Sequence, residues 1–196
     1  MKKLKRNLPW LLIITSVIGL LASFILTMDK IELLKNPDYN PSCNLNPVLS
    51  CGSIIGTDQA AAFGFPNPVI GLVSFSVIIT IGVGILAGAK YKKWFWKGLN
   101  IGALLGFIFI HWLVYQSLYT IGALCIYCMI VWTMTWIILW YVTLYNLDEG
   151  NIKAPKSWDK LVFFAKKHHL DILLTWFVII IALIIENFWY YWETLL

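Results

Sequence analysis

Charge is scarce in this chain. Asp, Glu, Lys and Arg make up 13% of its 196 residues, against 60% hydrophobic residues. That balance excludes a soluble domain, and a mean hydropathy of +0.76 with 11 Trp is a membrane composition. Long polar stretches are missing too, so nothing between the apolar runs is large enough to fold as an independent domain. No internal repeat and no low-complexity segment is present. Cysteine is rare, only four in all: Cys43, Cys51, Cys125 and Cys128. No histidine follows the second cysteine of Cys125-x-x-Cys128, where Met129 stands instead, and that excludes haem attachment.

What the chain does have is five apolar runs, each about 20 residues and long enough to cross a bilayer. They fall at about Pro9–Met28, Pro68–Ala89, Gly98–Gln116, Leu124–Tyr145 and Leu170–Tyr190. The net charge of +5 is confined to three clusters, Lys2–Arg6, Lys90–Lys97 and Lys153–Lys167, which hold thirteen of the fifteen Lys and Arg. Each cluster abuts a span, so the charge reads as the positive-inside rule and not as a nucleic-acid patch. The N-terminus is expected in the cytoplasm, the 29–67 loop outside, and the C-terminus outside. The first run has a signal-peptide look, with a basic start and Leu21-Ala22-Ser23. Its length and the lack of a clean small-x-small site predict a retained helix, with Asn7 and Pro9 at its start.

In the 29–67 loop, Pro37, Pro41 and Pro47 with Asn36, Asn40, Asn44 and Asn46 predict irregular backbone. Ser53–Phe63 predicts a short amphipathic helix at the membrane interface. Asn67 suits an N-cap before Pro68. Gly84 and Gly88, then Gly98, Gly102 and Gly106, predict close helix–helix contacts. Residues 146–169 predict a cytoplasmic linker loop, and 170–196 a fifth helix with a short outer tail.

The connection between spans three and four is very short, so Cys125 and Cys128 sit just below the outer interface, on the side of Cys43 and Cys51. Residues at i and i+3 share a helix face, and a helix N-terminus favours thiolate at Cys125. A zinc site needs four ligands in tetrahedral array, but one pair is set into an apolar helix, so no metal is expected. Static disulfides remain the plain alternative, and with them a non-catalytic membrane scaffold. Against that, an i, i+3 bridge staples almost nothing within a helix, whereas it suits exchange. Cys43 and Cys51 read either as a local loop disulfide or as a mobile relay, and four cysteines allow three two-bridge pairings. Thiol oxidation beside lipid needs an acceptor, and a lipid-soluble quinone is the obvious one.

Cys43 and Cys51 before a Phe63-Gly64…Asn67 turn, followed by Cys125-Ile126-Tyr127-Cys128 opening the fourth span, resemble the vitamin K epoxide reductase family over about residues 9–145. The quinone-coupled oxidases of the DsbB type also use four cysteines, but place Cys-x-x-Cys in the first outward loop. The resemblance implies an all-α integral membrane protein: a four-helix bundle around a quinone over residues 1–145, plus the fifth transmembrane helix. It implies Cys125 and Cys128 as the active-site pair, with Cys128 nearest the ring. Cys51 would carry electrons to Cys125, and Cys43 would receive them from an extracytoplasmic thioredoxin-like (DsbA-like) protein. The implied cofactor is ubiquinone, menaquinone or a related naphthoquinone, and the implied place a bacterial cytoplasmic (inner) membrane. Asn67 matches an amide that hydrogen-bonds a quinone carbonyl, and Phe63 belongs to the same turn. Trp132 stands where the animal enzymes place a Tyr on the other quinone oxygen. An indole N–H still donates; the expected task is oxidation of the thioredoxin-like partner in support of disulfide formation, with vitamin K quinone or epoxide reduction, run with a reducing partner, as the alternative. Many bacterial members carry a fused thioredoxin-like domain after a fifth helix; this chain stops at Leu196, so a separate partner is expected. His111, an ionisable group inside span three, is a candidate proton donor to reduced quinone, beside the plainer reading of a hydrogen bond to a neighbouring helix.

Overall fold

The computed structural model describes residues 2–195. Five helices are long and apolar enough to cross a membrane, and the chain is an integral membrane protein built on them. They are α1 (Lys2–Lys35), α3 (Pro68–Leu86), α4 (Lys93–Tyr115), α5 (Ile126–Asp148) and α7 (His169–Asn187). Three short helices complete the set: α2 (Cys51–Ile55), α6 (Asp159–Lys167) and α8 (Trp189–Trp192).

α1 departs furthest from expectation. Its 34 residues run roughly 50 Å, well beyond the roughly 30 Å hydrocarbon core. It begins ahead of Pro9, which lies inside the helix and does not open it. The turn before Pro9 is held by packing: Leu8 is fully buried in the core and Leu4 packs against it. Lys5 Nζ pairs with Glu149 at 3.0 Å. At the other end the helix continues past Met28 because Leu26 and Leu33 keep one apolar face going through Asp29 and Lys30. The loop therefore starts at Asn36.

α1 packs along α3 and α5, and α4 packs along α5. The close α1–α3 approach rests on glycines other than those expected: a Cβ on Gly82 would lie 2.7 Å from Ile13 Cγ1 and 3.0 Å from Pro9 O. Of the expected set, Gly98 and Gly102 have nothing within 4 Å of a Cβ, and Gly106 meets only Thr135 Cγ2 at 3.5 Å. Gly98 and Gly102 mark no helix contact, whereas Gly106 approaches α5 at Thr135. α3 and α4 scarcely touch, and these glycines face the space left between them.

The interfacial helix expected over Ser53–Phe63 is also different. The chain forms α2, breaks at Gly56-Thr57, and makes a 3₁₀ turn at Asp58–Ala61. Ile54 and Ile55 are buried under the loop instead of facing lipid. At the opposite end, the segment expected to be a linker loop contains α6, joined to α5 by Lys166–Asp148 at 2.8 Å. Beside it, buried Asn146 donates to Trp96 O (3.1 Å) and Asn100 Oδ1 (3.0 Å), and accepts from Asn151 Nδ2 (3.0 Å).

Candidate active site

The loop end of the bundle is built from two short connections pressed together. After α4 the chain makes a π-helical turn, Gln116–Ile121, ended by Gly122 in the left-handed region at φ +68°. A side chain there would be strained, so glycine makes the reversal this tight. The chain then extends. Leu124 N–H donates to Val48 O at 2.7 Å, and Leu124 O accepts from Ser50 N–H at 2.9 Å. Leu49 and Leu124 thus form a parallel bridge, which fixes the segment before Cys51 against the segment before Cys125.

Each cysteine beyond the bridge starts a helix. Cys51 is the first residue of α2, whose N-cap Ser50 accepts from Ser53 N–H at 3.3 Å. Cys125 caps α5, its Sγ accepting from Cys128 N–H at 3.3 Å. Cys51 and Cys125 are fully buried, and Cys43 nearly so. Cys43 and Cys51 are joined, S–S 2.05 Å, while Cys125 and Cys128 are free thiols. All four belong to one apolar cluster with Leu26, Ile54 and Ile55.

The Asn-rich loop has its own scheme. Asn44 Oδ1 accepts from Gly52 N–H (2.9 Å) and from Ser50 Oγ (3.2 Å). Asn46 Oδ1 accepts from the N–H groups of Val48 and Leu49. Lys30 Nζ donates to Ile55 O at 2.9 Å, placing a cation at the C-terminal end of α2 where the dipole favours it.

A hydrogen bond from the Cys128 thiol, joined by the backbone N–H groups of Cys128 and Tyr127, holds the Cys125 thiol below its usual range, against the opposing effect of burial. The cap residue, just outside the α5 span, is thus the thiol disposed to ionise.

Beneath the loop, between α1, α3, α4 and α5, lies an apolar cavity of about 500 Å³. That size suits a small organic ligand. Cys128, Trp132, Asn67 and Lys30 stand on its wall with Gly98 and Gly102. Val73 and Val77 also line it and are more than half exposed, so it opens sideways between α3 and α4. The residues present fit a lipid-soluble quinone: an apolar space, a thiol on the wall, and few polar groups.

Of the residues singled out in the sequence, the structure brings together the four cysteines, Asn67 and Trp132. Asn67 is not a side-chain cap. Its backbone is already helical, its Oδ1 accepts from Ala62 N–H (3.0 Å), and its Nδ2 donates to Gln59 O (2.7 Å). One amide hydrogen remains for a ligand. Trp132 is buried on the cavity side of α5. Phe63 does not line the cavity; it is exposed and stacks near Phe109, which does, with centroids 5.3 Å apart. His111 lies off the cavity, between helices: its Nδ1 meets Phe107 O at 2.8 Å, and Trp176 Nε1 donates to its Nε2 at 2.9 Å. That pair of contacts matches the plainer reading, a link to the fifth transmembrane helix. Asp29 and Lys30, expected in the outward loop, belong to α1 and turn inward. Their spacing after Leu26 and before Leu33 was the signal that they continue the helix face.

No curated protein matches the chain. The vitamin K epoxide reductase family matches over residues 10–143, from α1 into α5 and across all four cysteines. This chain belongs to the vitamin K epoxide reductase family and is a membrane oxidoreductase.

Proposed function

We propose that the protein reoxidises a separate thioredoxin-like disulfide donor and delivers two electrons to a membrane quinone, so supporting disulfide formation outside the cytoplasm. The observation that carries this reading is the Leu49–Leu124 bridge, which holds buried Cys51 beside buried Cys125 while Cys128 faces the cavity. The distribution of Lys and Arg supports a loop end outside the cytoplasm.

A partner thiolate attacks Cys43 Sγ, and Cys51 leaves as thiolate. Cys51 then attacks Cys125 of the oxidised inner pair, and Cys128 leaves as thiolate on the cavity wall. The partner's second thiol releases Cys43, which attacks Cys51, restores the Cys43–Cys51 disulfide and frees Cys125. The quinone, when bound, accepts the two electrons and two protons by which the Cys125–Cys128 bond re-forms. The lowered ionisation of Cys125 makes it a good leaving group when Cys43 attacks Cys51. The free amide hydrogen of Asn67 and the indole N–H of Trp132 would hold a quinone by its oxygens. The apolar wall excludes water, which would divert thiolate chemistry.

The test is quinol formation by purified protein in detergent, given quinone and a reduced thioredoxin-like protein. Quinol should form, and should vanish in Cys128→Ser. An unchanged quinone spectrum with four inert thiols in the unaltered protein would instead establish a scaffold with static disulfides.

A further inference from the structure

The family match ends at residue 143, before the fifth transmembrane helix, yet that helix touches the turn that delivers Cys125. Along α7, Leu173 is the one buried residue, while Leu174, Val178 and Ile181 are more than half exposed. The helix is therefore held at separate points and not along a whole face. At its first turn Trp140 Nε1 donates to His169 O at 2.9 Å, and Leu173 packs into the core. Midway, Trp176 meets His111. At the loop end stand Asn187, the last residue of α7, and Phe188 directly after it.

Asn187 Nδ2 donates to Leu118 O at 2.6 Å. Leu118 is buried in the π-helical turn Gln116–Ile121, close to its end, where carbonyls run out of helical donors. The next N–H groups along the chain are directed elsewhere. Those of Gly122 and Ala123 both go to Ser117 O, at 3.1 and 3.2 Å, and that of Leu124 goes to Val48 O. A buried carbonyl left short of a donor is costly, and the Asn187 amide supplies the cap. Phe188 is fully buried, in one apolar cluster with Val48, Leu118, Leu124 and Trp132. Val48 and Leu124 share the 2.7 Å hydrogen bond of the bridge. The end of α7 thus meets the turn before Cys125 by a hydrogen bond, and shares a packed cluster with the bridge before Cys51.

We propose that the end of α7 braces the thiol exchange: Asn187 and Phe188 are positioning residues that hold the Gln116–Ile121 turn, and with it the Leu49–Leu124 bridge, in the register that sets Cys125 beside Cys51. The proposal rests on the Cys51–Cys125 exchange of the preceding section. Asn187 bonds to a backbone carbonyl and not to a sulfur, so it acts through the turn. π-turns are rare, single-turn features. Relaxing this one to α-helical spacing would slide the following chain by one residue against Val48, and Cys125 with it. The matched region, residues 10–143, then depends for its sulfur geometry on a helix outside the match.

The brace can be read without quinone or partner. In full-length protein carrying Cys43→Ala and Cys128→Ala, Cys51 and Cys125 are the two thiols left. Diamide joins them, and mass spectrometry follows the rate. Hydrogen exchange of the peptide that holds the Leu124 N–H is read in the same proteins. Asn187→Asp keeps the side-chain shape and removes the donor. Cross-linking should slow about tenfold and Leu124 exchange should quicken about tenfold, the scale of one lost hydrogen bond. Leu173→Ala is the control: it opens a cavity at the opposite end of the same helix. It should lower the melting temperature and leave both rates at the parent value, whereas a merely structural role for α7 would make the two variants alike. Thermal melts establish that each variant is folded; should Asn187→Asp not fold, Phe188→Leu, which shrinks the buried anchor, should slow cross-linking and decides alone. Parent rates in the deciding variant, or equal slowing in Leu173→Ala, overturn the brace while leaving the proposed function intact. Failure of Cys51 and Cys125 to join in the folded parent overturns the exchange itself, and both readings with it.

Discussion

Leu49 and Leu124 lie side by side in a two-hydrogen-bond parallel bridge, 75 positions apart in sequence. Through it the chain at Cys51 is fastened to the segment before Cys125, whereas the hydrogen bonds beside Cys43, into Asn44 Oδ1 from Gly52 N–H and Ser50 Oγ, stay within the loop. When the disulfide opens, the bridge is expected to keep Cys51 beside Cys125, leaving Cys43 as the sulfur with no tie to that segment. This asymmetry matches the division of labour proposed for the two sulfurs.

The bridge can be removed without removing its residues. Ser50→Pro deletes the N–H that meets Leu124 O together with the side-chain bonds of Ser50, whereas Ser50→Ala deletes only those side-chain bonds, the α2 cap, worth about 1 kcal/mol, and the bond to Asn44 Oδ1. Cross-linking of Cys51 to Cys125, in protein lacking the other two cysteines, should fall about tenfold in Ser50→Pro, matching a lost hydrogen bond of about 1.4 kcal/mol. In Ser50→Ala it should stay near the parent rate. Equal rates in all three proteins would mean that the bridge does not position Cys51.

The Cys125 thiol titrates below an ordinary cysteine, and the largest cause is its hydrogen bond with the Cys128 thiol. Its thiolate fraction near neutral pH is therefore higher than that of a free cysteine. Removing the partner reverses the sign: in Cys128→Ala the inflection of alkylation rate against pH should move upward. A downward or absent movement contradicts the assigned cause.

Gly98 and Gly102 line the cavity with open space beyond each. Gly102→Ala should raise the melting temperature, because alanine is favoured over glycine in a helix by about 0.8–1 kcal/mol. Gly102→Leu should project into the cavity and raise the KM for quinone while the protein stays folded. A lowered melting temperature in Gly102→Ala would show that this helix face is packed after all.

Asn146 ties α4, α5 and Asn151 into one buried polar knot. Asn146→Leu leaves Trp96 O, Asn100 and Asn151 short of partners and should destabilise by about 2–4 kcal/mol. Denaturant unfolding in detergent measures it. The knot lies at the far end of the bundle from the cysteines, so the pH profile of Cys125 alkylation should not change.

The five spans and the helix-capping cysteine pair were legible because each is written locally, in apolar runs and in a Cys-x-x-Cys at a helix start. What was not legible depends on what stands opposite. Asp29 and Lys30 read as the end of a span, yet both turn inward and α1 continues, because Leu26 and Leu33 bury the same face. Gly98 and Gly102 have the spacing of a helix contact, and only the gap between α3 and α4 reveals them as a wall. Asn67 before Pro68 has the composition of a cap, but its amide is already occupied by Ala62 and Gln59. α6 was hidden because its nine residues mix lysines with exposed Leu161, Phe163 and Phe164.

The sideways opening of the cavity has a kinetic corollary. On the proposed function, an oily reactant gliding in from the flank and a protein docking from water would not contest the same doorway. Turnover should then follow double-displacement kinetics, with the rate governed by mole fraction in the lipid phase for one reactant and by molarity for the other. Diluting detergent-solubilised enzyme with extra micelles would slow one half-reaction and spare its counterpart.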